Sequence, residues 1–82
     1  FMNFPGEFTL KVFGAVEANL EAIIVPVIRK NNVDIERLCM SARVSSGGKY
    51  TAFTAGLWVD SQEQLDSIYR ELSSNPQIIM VL

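Results

Sequence analysis

SSGGKYTAFTAGLWVDSQEQLDSIYREL, Ser45 to Leu72, passes from a glycine turn through a long strand into a capped amphipathic helix with no residue to spare. Ser45-Ser46-Gly47-Gly48 separates two alternating segments, and glycine supplies the positive φ angles that a hairpin connection needs. A phosphate-cradling loop would require a helix to follow at once, whereas a strand follows here. From Lys49 to Val59, Thr51, Phe53, Ala55, Leu57 and Val59 alternate with Tyr50, Ala52, Thr54, Gly56 and Trp58, the period of a strand with one buried face. Asp60 or Ser61 then caps a helix. Both registers fit, because Glu63 follows Asp60 and Gln64 follows Ser61 at capping-box spacing. Leu65, Ile68, Tyr69 and Leu72 form the apolar stripe of that helix, leaving Gln64, Asp66, Ser67, Arg70 and Glu71 for water.

Upstream of the hairpin, Leu38, Met40, Ala42 and Val44 alternate with Cys39, Ser41, Arg43 and Ser45, giving the partner strand. Phe8, Leu10 and Val12 oppose Thr9, Lys11 and Phe13 in a first strand that Gly14 ends. From Val16 the apolar positions Leu20, Ile23, Ile24, Val27 and Ile28 follow a helical stripe. Pro26 lies inside it, removing one backbone hydrogen bond and crowding the carbonyl of Ala22, so a kink or an early break is expected. Asn31 and Asn32 close this helix, since Asn tolerates the left-handed conformation of helix ends. Ser73-Ser74-Asn75-Pro76 stops the second helix, and Gln77 to Leu82 forms a last strand.

The order is βαββαβ over one domain, residues 1–82. Right-handed crossovers turn it into an α+β, ferredoxin-like plait, with a four-stranded antiparallel sheet and both helices on one face. If every apolar set faces the helices, the uncovered face carries Thr9, Lys11, Phe13, Cys39, Ser41, Arg43, Tyr50, Ala52, Thr54, Gly56 and Trp58.

Composition narrows the function. The chain has 82 residues, 49% hydrophobic and 20% charged, which suits a globular protein and not a disordered one. A chain of this size buries only about 60 to 65% of the surface its unfolded form exposes. No segment approaches the roughly 18 apolar residues of a membrane span, and FMNFPGEF lacks the order of a signal peptide, so a cytoplasmic location is expected. Cys39, the one cysteine, has no internal disulfide partner and reads as a small packing residue. There is no histidine, which removes the commonest general base and metal ligand, and neither a metal nor a cofactor is expected. The net charge of −2 disfavours nucleic acid. Its distribution is uneven: Leu38 to Val59 holds no acid, while Glu17, Glu21, Asp60, Glu63, Asp66 and Glu71 cluster in or beside the helices.

FPGEFTLKVFG (Phe4 to Gly14), SSGGKY (Ser45 to Tyr50), DSQEQLDSIYREL (Asp60 to Leu72) and the terminal IIMVL closely resemble the YbeD-like family of small, uncharacterised bacterial proteins. The resemblance spans nearly the whole chain. It implies a ferredoxin-like fold similar to the ACT regulatory domains, which bind small effectors, often amino acids, at interfaces between paired modules. By that analogy a ligand would approach backbone N–H groups at Gly14, beside the first helix; otherwise Gly14 merely turns the chain.

Three classes of function follow. In a regulatory or interaction module, the open sheet face or an exposed strand edge pairs two copies, meets another protein or takes a small effector. Lys11, Gly14, Arg43, Lys49, Tyr50 and Trp58 are the candidate binding residues. A basic face beside an acidic helical side lets copies attract each other, so charge reversal at Lys11 and Arg43 should weaken that contact. An RNA-binding domain would use the same open face, with Phe13, Tyr50 and Trp58 for stacking. However, Gly48-Lys49-Tyr50 reverses the required motif, and Ala52 and Thr54 stand where rings are wanted. An acylphosphatase-like enzyme would need an arginine in Gly14-Ala15-Val16-Glu17, which has none. Glu63 and Asp66 are explained as first-turn acids stabilised by the helix dipole. No catalytic residue is assigned and a non-enzymatic role is expected. Trp58 marks either a partner surface or packing against Phe4.

Overall fold

The computed structural model describes residues 3–82. Its elements follow in the order β1 (Gly6–Ala15), α1 (Leu20–Lys30), a short 3-10 turn (Ile35–Arg37), β2 (Cys39–Val44), β3 (Tyr50–Val59), α2 (Gln62–Ser73) and β4 (Ile78–Val81). The four strands form one sheet in the spatial order β2, β3, β1, β4, and every neighbouring pair is antiparallel. Two helical crossovers on one face of such a sheet make the ferredoxin-like plait that the alternation and stripe patterns demand.

Three boundaries differ from the sequence reading. Gly14 lies inside β1, facing Thr51 and Ile78, and the strand continues to Ala15. α1 starts at Leu20 and not near Val16, because the Asn19 side chain accepts the Ala22 N–H and caps the helix there. α1 also runs unbroken through Pro26 to Lys30. The proline removes one hydrogen bond on an exposed face, while Ile24 and Ile28 on either side are fully buried and hold the turns together. Asn31 caps the C-terminus and Asn32 takes the left-handed conformation, with φ at 63°, as the pair of asparagines foretold.

The hairpin turn places Gly48 at φ 70° and closes by a bond from the Gly48 N–H to the Ser45 carbonyl at 2.8 Å. Ser61, not Asp60, is the cap of α2: its hydroxyl accepts the Gln64 N–H at 3.2 Å, and the Gln64 side-chain oxygen accepts the Asp60 N–H at 2.7 Å. Gln64 also donates to the Asn31 carbonyl at 2.7 Å, tying the start of α2 to the end of α1.

The core lies between sheet and helices, built from Leu10, Val12, Phe53, Ala55, Leu57 and Val59 below and Leu20, Ile24, Ile28, Leu65, Ile68 and Leu72 above. One predicted part of it is absent. Met40, Ala42 and Val44 of β2, expected to face the helices, are exposed, Val44 to 53%. α2 packs over β3, β4 and α1, and the exposure of all of β2 shows that the helical layer leaves this edge uncovered.

Candidate functional site

Two surfaces remain open on this fold, the uncovered sheet face and the β2 edge. Cross-strand register fixes the first. Lys11 of β1 lies opposite Thr54 of β3, which lies opposite Ser41 of β2; in the next row on the same face, Phe13, Ala52 and Arg43 stand side by side. These six residues, with Ala42, line a groove of about 440 Å³. No acid lines it. Beyond it, Thr9, Cys39 and Gly56 continue a shallower trough, with the Cys39 Cβ resting 3.8 Å from where a Gly56 side chain would begin.

Aromatic groups close the two ends of the face. At one end Phe13 and Tyr50 meet edge to face, their centroids 6.1 Å apart. Ile79 and Met80 of β4 adjoin them. Ile79 is 65% exposed because the register between β1 and β4 shifts at Phe13 and Gly14, leaving it as the extra residue of a bulge. At the other end the Arg37 guanidinium lies 3.9 Å from the centre of the Trp58 ring. Of the two readings of Trp58, packing against Phe4 is not the one seen, since Phe4 stacks on Phe8 at 4.9 Å. Arg37 belongs to the 3-10 turn, an element that the periodicity of the sequence did not reveal.

Of the predicted binding residues, Lys11 and Arg43 share the groove, Tyr50 and Trp58 mark the ends of the face, and two lie elsewhere. Lys49 sits in the hairpin turn, its N–H bound to the Ser45 hydroxyl at 3.2 Å. Gly14 is buried, and a side chain there would meet Leu20 Cδ2 at 2.5 Å and the Gln77 carbonyl at 3.0 Å. The space held open for a ligand by analogy is filled by Leu20. The rings are likewise engaged, Phe13 with Tyr50 and Trp58 with Arg37, and the centre of the face carries Ala52, Thr54 and Gly56. The stacking platforms of an RNA-recognition surface are missing from those central positions.

The second surface follows from the hydrogen-bond parity of β2. The Ser45 N–H donates to the Tyr50 carbonyl at 2.8 Å, so Ser45, Arg43, Ser41 and Cys39 direct their backbone groups toward β3. Met40, Ala42 and Val44 direct theirs outward, and these three also hold the uncovered apolar side chains on the helix side. All 6 residues of β2 are exposed. The sheet's other edge, β4, has 4 residues and carries the bulge, which blunts it.

A family model described as a protein of unknown function, DUF493, matches residues 1–82. The chain belongs to this family. A UPF0250 protein of Neisseria meningitidis is 40% identical over 81 residues, spanning 99% of this chain and 89% of the relative. One from Paraburkholderia phytofirmans is 37% identical over 79 residues, spanning 96% and 89%. Among solved structures, protein HP0495 of H. pylori superposes with a TM-score of 0.81 at 11% identity, covering 100% of this chain and 86% of that one. The ACT domain from a GTP pyrophosphokinase of Chlorobium tepidum gives 0.69 at 12% identity, covering 93% and 94%. The YbeD-like resemblance and the ACT-like, ferredoxin-like fold of a bacterial protein are thereby established. No helix among the described residues is long and apolar enough to cross a membrane.

Proposed function

We infer that this member of the DUF493 family is a non-enzymatic regulatory or interaction module that acts by pairing through its free β2 edge. The carrying observation is that β2 is exposed along its whole length while three of its residues point unbonded backbone groups outward. An antiparallel second copy centred on Ala42 sets Met40 against the partner's Val44 and Ala42 against the partner's Ala42. That register makes about six backbone hydrogen bonds and continues the sheet. It also buries the apolar side chains that the helical layer leaves uncovered. Such a contact is isologous and closes at two copies. A basic face docked on an acidic helical side would be heterologous and would not by itself stop at two copies, so the edge is the better pairing surface. The ACT-like fold supports a regulatory role, and a chain without histidine, whose single cysteine is free and exposed on a strand, gives little support to catalysis.

Light scattering tests the pairing. The mass is expected to rise with concentration and level off at twice 9.1 kDa. Ala42→Pro should hold it at one copy, because the proline deletes an outward N–H that β3 does not use and leaves the fold intact. Val44→Lys, which places a charge at the apolar contact, should act in the same direction. A wild-type chain that stays single at every concentration overturns the reading, as does a folded Ala42→Pro variant that still doubles.

A further inference from the structure

We propose that the open sheet face binds a small organic dianion, held between Lys11 of β1 and Arg43 of β2 above Ala52 and Thr54 of β3. This site lies on the open face and borders the pairing edge at Arg43, but its argument does not depend on pairing.

Charge complementarity selects the ligand. Lys11 and Arg43 are exposed and have no acidic partner among the described residues, where the ion pair present joins Lys30 to Glu71 in the helical layer. The groove between them contains no carboxylate to compete with a bound anion. Ser41 and Thr54, in the same cross-strand row as Lys11, bring hydroxyl donors to the same space. The two cations stand two strands apart and two residues offset, which at ordinary strand spacing and rise separates their Cα atoms by about 12 Å. Flexible arms reaching inward from that distance suit two acid groups on one short chain better than a single acid. The volume of about 440 Å³ is that of a small-molecule site, and Phe13 supplies an apolar wall for the ligand's carbon skeleton.

The same geometry disfavours larger occupants. An extended peptide needs free backbone groups, and on this face the strand backbones are spent in the sheet ladders. Single-stranded RNA needs free rings, and the rings here are packed against Tyr50 or Arg37.

Backbone amide shifts of isotopically labelled protein, titrated with glutarate and with neutral glutaramide, test the proposal. Glutarate should produce saturating shifts clustered at Lys11, Ser41, Arg43, Ala52 and Thr54, and glutaramide none. Lys11→Gln and Arg43→Gln should each weaken glutarate about fivefold or more, and the double variant should abolish saturation. Both side chains are exposed, so an unchanged spectrum elsewhere confirms that the variants remain folded. Shifts that never saturate, that fall equally on Arg29, Lys30 and Lys49, or that persist in the double variant overturn the site. Saturation by single-stranded RNA with no response to glutarate overturns it in favour of nucleic acid. Solution mass is a separate readout, so a failure here and a failure of edge pairing are told apart.

Discussion

Gly14 shows how one residue's reason for being can lie outside its own segment. In a strand, replacing glycine by alanine ordinarily gains stability, because the unfolded chain loses freedom. Here the added methyl would stand 2.5 Å from Leu20 Cδ2 and 3.0 Å from the Gln77 carbonyl. Leu20 is only 3% exposed and has no room to swing away, and the Gln77 oxygen belongs to the backbone. Steric cost therefore outweighs propensity, and Gly14→Ala is expected to destabilise by about 1–3 kcal/mol, read as a lower urea midpoint with an unchanged slope. A midpoint that rises would mean that the sheet and α1 separate more easily than this packing allows. The glycine was visible in the sequence, but its neighbours Leu20 and Gln77 come from α1 and from the turn before β4, so only a turn or a ligand approach could be read from it. Trp58 follows the same rule. Its place on the open face was legible from alternation, while the guanidinium covering it comes from a 3-10 turn too short to have a period.

Between elements, the clearest coupling is the polar latch joining the end of α1 to α2. The Asn31 amide donates to Glu71 Oε1 at 3.2 Å, and Lys30 Nζ lies 3.3 Å from Glu71 Oε2. The Asn31 hydrogen bond is the largest influence and outweighs desolvation, the next largest and opposing one; with Lys30 and then Ser67 it holds the Glu71 carboxyl below the ordinary carboxylate range. A carboxyl whose folded pKa is depressed contributes stability above its unfolded pKa and loses it as pH falls through the folded one. The gap in stability between wild type and Glu71→Gln should therefore be open at neutral pH and close as pH falls through and below the usual carboxylate range. Urea titrations at several pH values measure it, and a gap independent of pH would remove the charge of Glu71 from the account. The Lys30 side chain is 73% exposed, so its share should fade with added salt. Element order and sheet-face assignment were legible because period 2 and period 3.6 differ sharply in β1, β3, α1 and α2. The fate of β2 was not. Met40, Ala42 and Val44 alternate as a buried set would, yet alternation says which side chains share a face and not whether a helix reaches over it.

Across the whole molecule, the groove and the edge meet at Arg43. In the antiparallel register centred on Ala42, Arg43 stands opposite the partner's Ser41 and diagonal to the partner's Arg43, at about 7–8 Å on the open face. Like charges at that distance oppose pairing, and β2 carries no acid to offset them. A dianion seated on Lys11 and Arg43 of each copy neutralises the repulsion, so ligand and pairing should favour one another, and the coupling must be reciprocal. Glutarate is therefore expected to lower the concentration at which the mass doubles, and doubling should in turn tighten glutarate. Arg43→Gln should pair more readily than wild type without ligand and lose the response to glutarate. Raising the salt concentration should mimic the ligand in the wild-type chain by screening the two guanidinium groups, and should do little in the variant. Sedimentation of both proteins across a salt and glutarate series separates these effects. If wild type and Arg43→Gln pair identically under every condition, the edge and the groove work independently, and the basic face does not regulate assembly.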